Sequence, residues 1–205
     1  MITQSLLEKY AKVAVQIGAN VQKNQRLIVN SSTETRELAR AIAKEAYAVG
    51  AKSVEIIWND AYVSKEGYLN QSLDELSDIP KWIIDRYHFY VDEGACLISI
   101  TSPITGINEG VDPLKIQTAA VASSKAISFF RNHTMGNHTQ WCVIAAPNPV
   151  WAKKVFPNLS ENDAIDALWN AILKASRISA DNDPVSEWQL HNRTLADHNR
   201  LLNQY

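Results

Sequence analysis

The sequence predicts an α/β fold: an open, mostly parallel sheet flanked by helices in three layers, with a helical C-terminal segment. Three observations carry this reading. Four short apolar runs, at residues 26–30, 53–58, 95–100 and 140–146, alternate with stretches of helical period. The first two runs are joined by one helix through short connections, the spacing of a right-handed parallel crossover. After the fourth run only helical patterns follow.

The elements can be taken in order. Leu6, Tyr10, Val13, Ala14 and Ile17 fall at helical spacing, and Gly18 is placed to cap that helix. Arg26-Leu27-Ile28-Val29-Asn30 is the first strand. Ser31 and Glu34 then stand at capping-box spacing before a helix with Leu38, Ile42, Ala46 and Val49 on one stripe, ended by Gly50. Ser53 to Trp58 is the second strand. Residues 59–79 are polar and mixed, and read as a long connection with a short helix near Leu73–Leu76. Pro80 suits the first turn of a helix carrying Ile83, Tyr87, Tyr90 and Val91 and stopping at Gly94. Ala95 to Ile100 is almost continuously apolar, as a strand covered on both faces requires.

Residues 102–113, with two prolines and two glycines, form a loop. A helix is expected from Leu114 to Phe130 and a turn from Asn132 to Asn137. Gln140 to Ala146 is the fourth strand. A short helix from Trp151 to Phe156 ends at Pro157, and Ser160 caps the next, which carries Ile165, Leu168, Trp169 and Ile172. Asp183-Pro184 opens a last helix through Trp188, Leu195 and Leu202. The expected division is an α/β domain over 1–180 and a helical segment over 181–205.

Composition excludes several classes. The chain has 205 residues, 46% hydrophobic and 20% charged, with net charge -2. That is a globular composition with length for a buried core. No basic run is present, so neither nucleic acid nor an anionic membrane is expected as a partner. No signal peptide and no membrane-spanning stretch is legible, which points to the cytoplasm. Asn-x-Ser/Thr triplets such as Asn132-His133-Thr134 are then incidental. Cys96 and Cys142 lie inside apolar runs and read as strand thiols, neither paired nor at zinc-ligand spacing.

No recognised chemical motif emerges from the residues. Asn30-Ser31-Ser32-Thr33-Glu34-Thr35 follows the first strand without glycine, so neither a dinucleotide fingerprint nor a P-loop is present. Its hydroxyls could still hold an anion at the helix start. His133 and His138 flank a turn without a third ligand nearby. His191 and His198 share a helix face and read as surface residues, as does His88. No His-Glu-x-x-His and no Gly-x-Ser-x-Gly occurs. Asp181-Asn182-Asp183 is better explained by capping than by calcium. The six tryptophans sit mostly on apolar stripes and are expected in the core.

A succession of local strings resembles the thermophilic-type metallo-aminopeptidase family, the aminopeptidase T family. Tyr10-Ala11-Lys12-Val13-Ala14-Val15 with Gly18, then Val21 to Leu27, is similar to the family's first helix and strand, with Asn24-Gln25 where the family has Gly-Gln. Glu45 to Val54 is similar to its next helix-to-strand turn. Trp151 to Pro157, and Ala167-Leu168-Trp169 with Ile172, resemble its paired helices. Asp183-Pro184-Val185 with Trp188, His191 and Leu195 resembles its linker helix.

The resemblance implies the N-terminal domain of a two-domain, homodimeric enzyme about twice this length, which removes N-terminal residues from peptides. It implies two divalent metals, zinc or cobalt, held by Glu, His and Asp of a C-terminal domain absent here. Such metals would activate a bridging water and polarise the scissile carbonyl. No catalytic, cofactor-binding or metal-ligating residue carries over to this chain, which by itself is expected to be inactive. The expected contribution of residues 1–180 is to shape substrate access and assembly. The alternatives are a stand-alone small-molecule-binding domain using Ser31 to Thr35, and an interaction or dimerisation module.

Overall fold

A computed structural model of the chain describes residues 2–204. Four parallel strands form one open sheet: β1 Arg26–Ser32, β2 Ser53–Asn59, β3 Cys96–Thr101 and β4 Trp141–Ala145, in the order β2-β1-β3-β4. Helices cover both faces, and the chain continues as helices after β4, as the alternation of patterns predicts. The two middle strands, β1 and β3, are the most buried, whereas the wholly apolar run of β4 forms an edge. Leu27, Ile28 and Val29 of β1 are all essentially solvent-free.

Residue parity assigns the faces. Leu27 and Val29 of β1, with Cys96, Ile98 and Ile100 of β3, pack against α1 (Gln4–Val13) and α2 (Arg36–Ala48) in the larger core. That layer is completed by Trp169 and Leu173 of α9 (Glu161–Ala175) and Trp188 of α10 (Pro184–Leu202). The opposite face uses Ile28, which meets Tyr90 of α5 (Lys81–Asp92) and Phe130 of α7 (Ser128–Met135). Strand side chains alternate between faces, so one buried run must serve two helix layers.

Six local expectations are corrected. Gly18 does not take a left-handed cap. Instead α1 passes into a π turn over Ala14–Gly18, with Ala19 N–H donating to the Ala14 carbonyl at 2.8 Å, and Asn20 takes the left-handed conformation at φ 44°. Gly18 is needed for another reason: a Cβ there would lie 2.4 Å from Cys142 Sγ on β4. Nor do Ser31 and Glu34 form a capping box. Ser31 remains in β1, in register with Trp58, and its hydroxyl shares a 2.8 Å hydrogen bond with Thr35 across a tight 3-10 turn at Thr33–Thr35.

Residues 59–79 hold a second helix, α3 (Ala61–Asn70), before α4 (Leu73–Ser77). It buries no side chain fully and so carries no apolar stripe, although Asp60 caps it by accepting from Tyr62 N–H and Val63 N–H. The expected helix at 114–130 is two: α6 (Pro113–Ala126) and α7, broken at Ile127. The turn expected from Asn132 is helical through Met135, because Phe130 and Thr134 are buried and the Thr134 hydroxyl donates to the Phe130 carbonyl. The helix α8 (Pro149–Val155) starts two residues before Trp151, capped by Asn148.

The tryptophans divide. Trp151, Trp169 and Trp188 pack against the cores, but Trp58, Trp82 and Trp141 are 45%, 62% and 38% exposed. Trp58 and Trp141 lie on the two edge strands, where the covering layers thin. Trp82 shares the outward flank of α5 with Arg86, whose guanidinium stands 5.4 Å from its ring.

Two side chains secure the carboxyl-terminal region. The Tyr10 hydroxyl donates to the Ala145 carbonyl and accepts from Ala145 N–H, so it satisfies both backbone groups at the end of β4. The Lys9 ammonium donates to the carbonyls of Ser179, Ala180 and Asn182 at 2.9, 2.6 and 2.6 Å, which holds the connection between α9 and α10 against α1.

The Gly18 contact makes a stability prediction. Gly18→Ala should lower urea-unfolding stability by about 1–3 kcal/mol through overpacking. Adding Cys142→Ala should recover part of the loss, and equal losses in the single and double variants would show that this contact does not constrain the packing. The core thiol makes another. Burial pushes the Cys96 thiol up to about 12, well above its unfolded value. Its folded pKa being raised, stability is fully present below about pH 8.5 and falls as pH rises from there toward the folded pKa. Urea melts from pH 8 to 11 should show this fall, reduced in Cys96→Ala.

Candidate functional site

The strand order places one crevice. From β1 the chain leaves to β2 on one side and returns to β3 on the other, so the connections diverge at the carboxyl ends of β1 and β3. In open α/β sheets that reversal is where ligands settle. A cavity of about 390 Å³ lies there, within the usual size of a small-ligand site. It is lined by the ends of β1 (Asn30 to Ser32), β2 (Asn59) and β3 (Ile100, Thr101), by the start of α3, and by the loop from Ser102 to Asn108.

The geometry is set by local hydrogen bonds. The Ser31 hydroxyl is spent on Thr35, and Thr35 Oγ1 also donates to the Ser32 carbonyl at 3.1 Å. Asp60 Oδ1 receives the first N–H groups of α3, while Oδ2 accepts from the Thr33 hydroxyl at 3.4 Å. The far wall is fixed by Asn148, which is buried and whose Nδ2 donates to Ser102 Oγ at 2.9 Å and the Pro103 carbonyl at 3.0 Å. The same residue caps α8, so the loop after β3 is tied to a helix that follows β4.

Of the residues singled out in the sequence, Ser31 to Glu34 line this crevice. Asn30, Asn59, Asp60, Tyr62, Tyr68 and Thr101, scattered along the chain, join them in the lining. They carry no motif. The signal that could have found them is positional: all but Tyr68, in the last turn of α3, stand near strand ends or at the helix start that follows one. The anion reading of Ser31 to Thr35 is weakened, because both buried hydroxyls are bonded to each other and, among the described residues, the charged ones in the lining are Glu34 and Asp60.

The other candidates lie elsewhere. His133 and His138 stack on each other, with ring centroids 5.3 Å apart. His88 stacks on Phe129, and His191 meets the edge of Trp188 and the Arg177 guanidinium. Asn182 holds a turn, its Oδ1 accepting from Ser179 N–H, while Asp183 stands at the N-cap position of α10 without a side-chain capping bond and accepts the Ser186 hydroxyl at 2.6 Å. That hydrogen bond holds the Asp183 carboxyl below its ordinary pKa. Cys96 and Cys142 are free, and burial raises both pKa values, opposite to what a nucleophilic thiolate needs. Among the described residues no three His, Cys, Asp or Glu side chains gather in a group that could hold a metal ion. These residues therefore do not fit the two-metal centre that the resemblance implies. Among them, also, no helix is long and apolar enough to cross a membrane.

Comparison with known proteins gives the family. Residues 3–205 match the family described as thermophilic metalloprotease (M29). Aminopeptidase AmpS of Bacillus subtilis (strain 168) is 36% identical over 198 residues, which are 97% of this chain and 48% of that protein. Aminopeptidase 2 of Geobacillus stearothermophilus is 37% identical over 190 residues, 93% of this chain and 46% of that protein. The solved structure of wild-type AmpT from Thermus thermophilus superposes with a TM-score of 0.83 at 28% identity, covering 93% of this chain and 46% of that one. The chain spans about half the length of the relatives it matches. With its family model matched over nearly every residue and the same fold in a solved relative, the chain belongs to the thermophilic metalloprotease (M29) family.

Proposed function

We propose that this chain is the N-terminal, non-metal-binding half of a metal-dependent aminopeptidase, and that it shapes substrate access and assembly. The observation that carries the reading is the pair of coverages: 97% of this chain against 48% of a protein named as an aminopeptidase. In this reading the zinc or cobalt ions, and the residues that hold them, belong to the other half. Peptides are the substrates of the longer enzyme, which acts in the cytoplasm as a homodimer.

The last helix supports a linking role for residues 181–205. α10 is anchored at its start by the buried Pro184 and Val185 and by Trp188, whose indole N–H donates to the Ser176 carbonyl. Beyond that point Leu190, Leu195, Leu201 and Leu202 are all exposed, the last at 72%. An apolar series left in water fits a helix that a further domain covers.

Two measurements test the reading. The 205-residue chain, incubated with zinc or cobalt and leucine dipeptides, should release no amino acid above the metal alone. Metal-dependent turnover by this chain would overturn the placement of the chemistry. Removing the segment equivalent to residues 1–205 from a longer relative should relax its selectivity for peptide length. Unchanged selectivity in a folded, active remainder would rule out control of access.

A further inference from the structure

The crevice at the carboxyl ends of β1 and β3 has a definite electrostatic sign. Its charged lining residues are Glu34 and Asp60, with no lysine, arginine or histidine among them. Many α/β folds hold a phosphate at this position, on glycine-rich backbone and a helix start. Here a phosphate would face two carboxylates, and like charges repel. A cation is favoured instead.

The two carboxylates are not equivalent. Asp60 is engaged: one oxygen caps α3 and the other accepts from Thr33. Glu34 is exposed and has no hydrogen bond or ion pair with any described residue. It stands on a 3-10 turn that is internally fixed by Ser31, Ser32 and Thr35. Its position is thus set by the backbone while its charge stays unspent.

The rest of the cavity is neutral. Asn30 and Asn59 bring amide groups that make only long contacts of 3.4–3.5 Å inside the protein. Tyr62, Tyr68 and Ile104 supply aromatic and aliphatic surface. Ammonium acceptor, amide partners and apolar wall therefore lie within one small cavity.

We propose that this crevice binds the amino-terminal residue of a short peptide. The ligand's ammonium group faces the Glu34 carboxylate, its first peptide group meets the Asn30 and Asn59 amides, and its side chain lies on the wall of Tyr62, Tyr68 and Ile104. The choice of a peptide rests on the aminopeptidase reading. The electrostatic part requires only a primary ammonium beside a neutral amide. The site would hold a substrate end before, or a released end after, a reaction completed elsewhere in the longer enzyme.

The test uses the 205-residue chain and backbone amide NMR, with leucyl-leucinamide as probe. Its addition should shift the signals of Asn30–Glu34, Asn59–Tyr62 and Thr101–Asn108. N-acetyl-leucyl-leucinamide, which has no ammonium, and inorganic phosphate should leave them unmoved. Free leucine distinguishes an amino acid from a peptide end, and should bind at least tenfold more weakly because it lacks the peptide group and brings a carboxylate of its own. Glu34→Gln, an exposed and conservative change, should weaken dipeptide binding at least tenfold without altering the urea-unfolding midpoint. Thr33→Val, which removes a hydroxyl bonded to Asp60, should weaken binding less than Glu34→Gln does. Equal binding of the acetylated peptide, shifts confined to other regions, or no shift at millimolar dipeptide would each overturn the proposal. All three outcomes leave the family-level function standing, because they do not measure turnover.

Discussion

The structure depends on β1 being buried on both faces and paired on both sides. Its apolar core, Leu27 to Val29, has no contact with solvent, and its backbone bonds in parallel to β2 and β3. Parallel neighbours cannot be joined by a hairpin, so each pairing requires a crossover that covers a face. Burial of Leu27 and Val29 recruits α1 and α2; burial of Ile28 recruits α5 and α7. The three-layer architecture is the consequence of satisfying one strand.

The same constraint makes the crevice. Because β2 and β3 lie on opposite sides of β1, the connections that leave the carboxyl ends of β1 and β3 part from each other, and the gap between them is filled by neither. What lines the gap is mostly residues that terminate strands, start α3 or belong to the loop after β3. Many of them are short and polar, since they cap helices and satisfy backbone groups, while Tyr62, Tyr68, Ile100 and Ile104 add an apolar wall. Asp60 and Asn148 illustrate it: each caps a helix and at the same time shapes a wall of the cavity. The site is therefore rigid for structural reasons, whatever it binds.

The edges are managed by different means. At β4, the outer strand, Tyr10 satisfies Ala145, and the π turn brings Gly18 against Cys142 so that helix and strand approach closely. An unprotected parallel edge would invite pairing with other chains. On the larger-core face the two last helices extend this cover, and Lys9 ties their connection back to α1 with three charge-assisted hydrogen bonds. The exposed leucines of α10 begin just where that cover stops.

By itself the sequence determined the α/β class, the four strands and the central place of the third, since a strand covered on both faces leaves a nearly continuous apolar run; the equally apolar run of β4 became an edge, which only the strand order decided. It also carried the family, through an ordered succession of modest matches. It did not reveal α3, which buries nothing and so has no stripe, nor the continuation of α7 through Thr134, whose burial depends on a distant sheet face. It pointed the tryptophans mostly toward the core, whereas edge strands and a helix flank leave three of them partly in water. The role of Gly18 and the composition of the crevice were decided only by tertiary structure. Contact between residues more than a hundred positions apart, such as Gly18 with Cys142, follows from strand order, and local periodicity holds no record of which strands become neighbours.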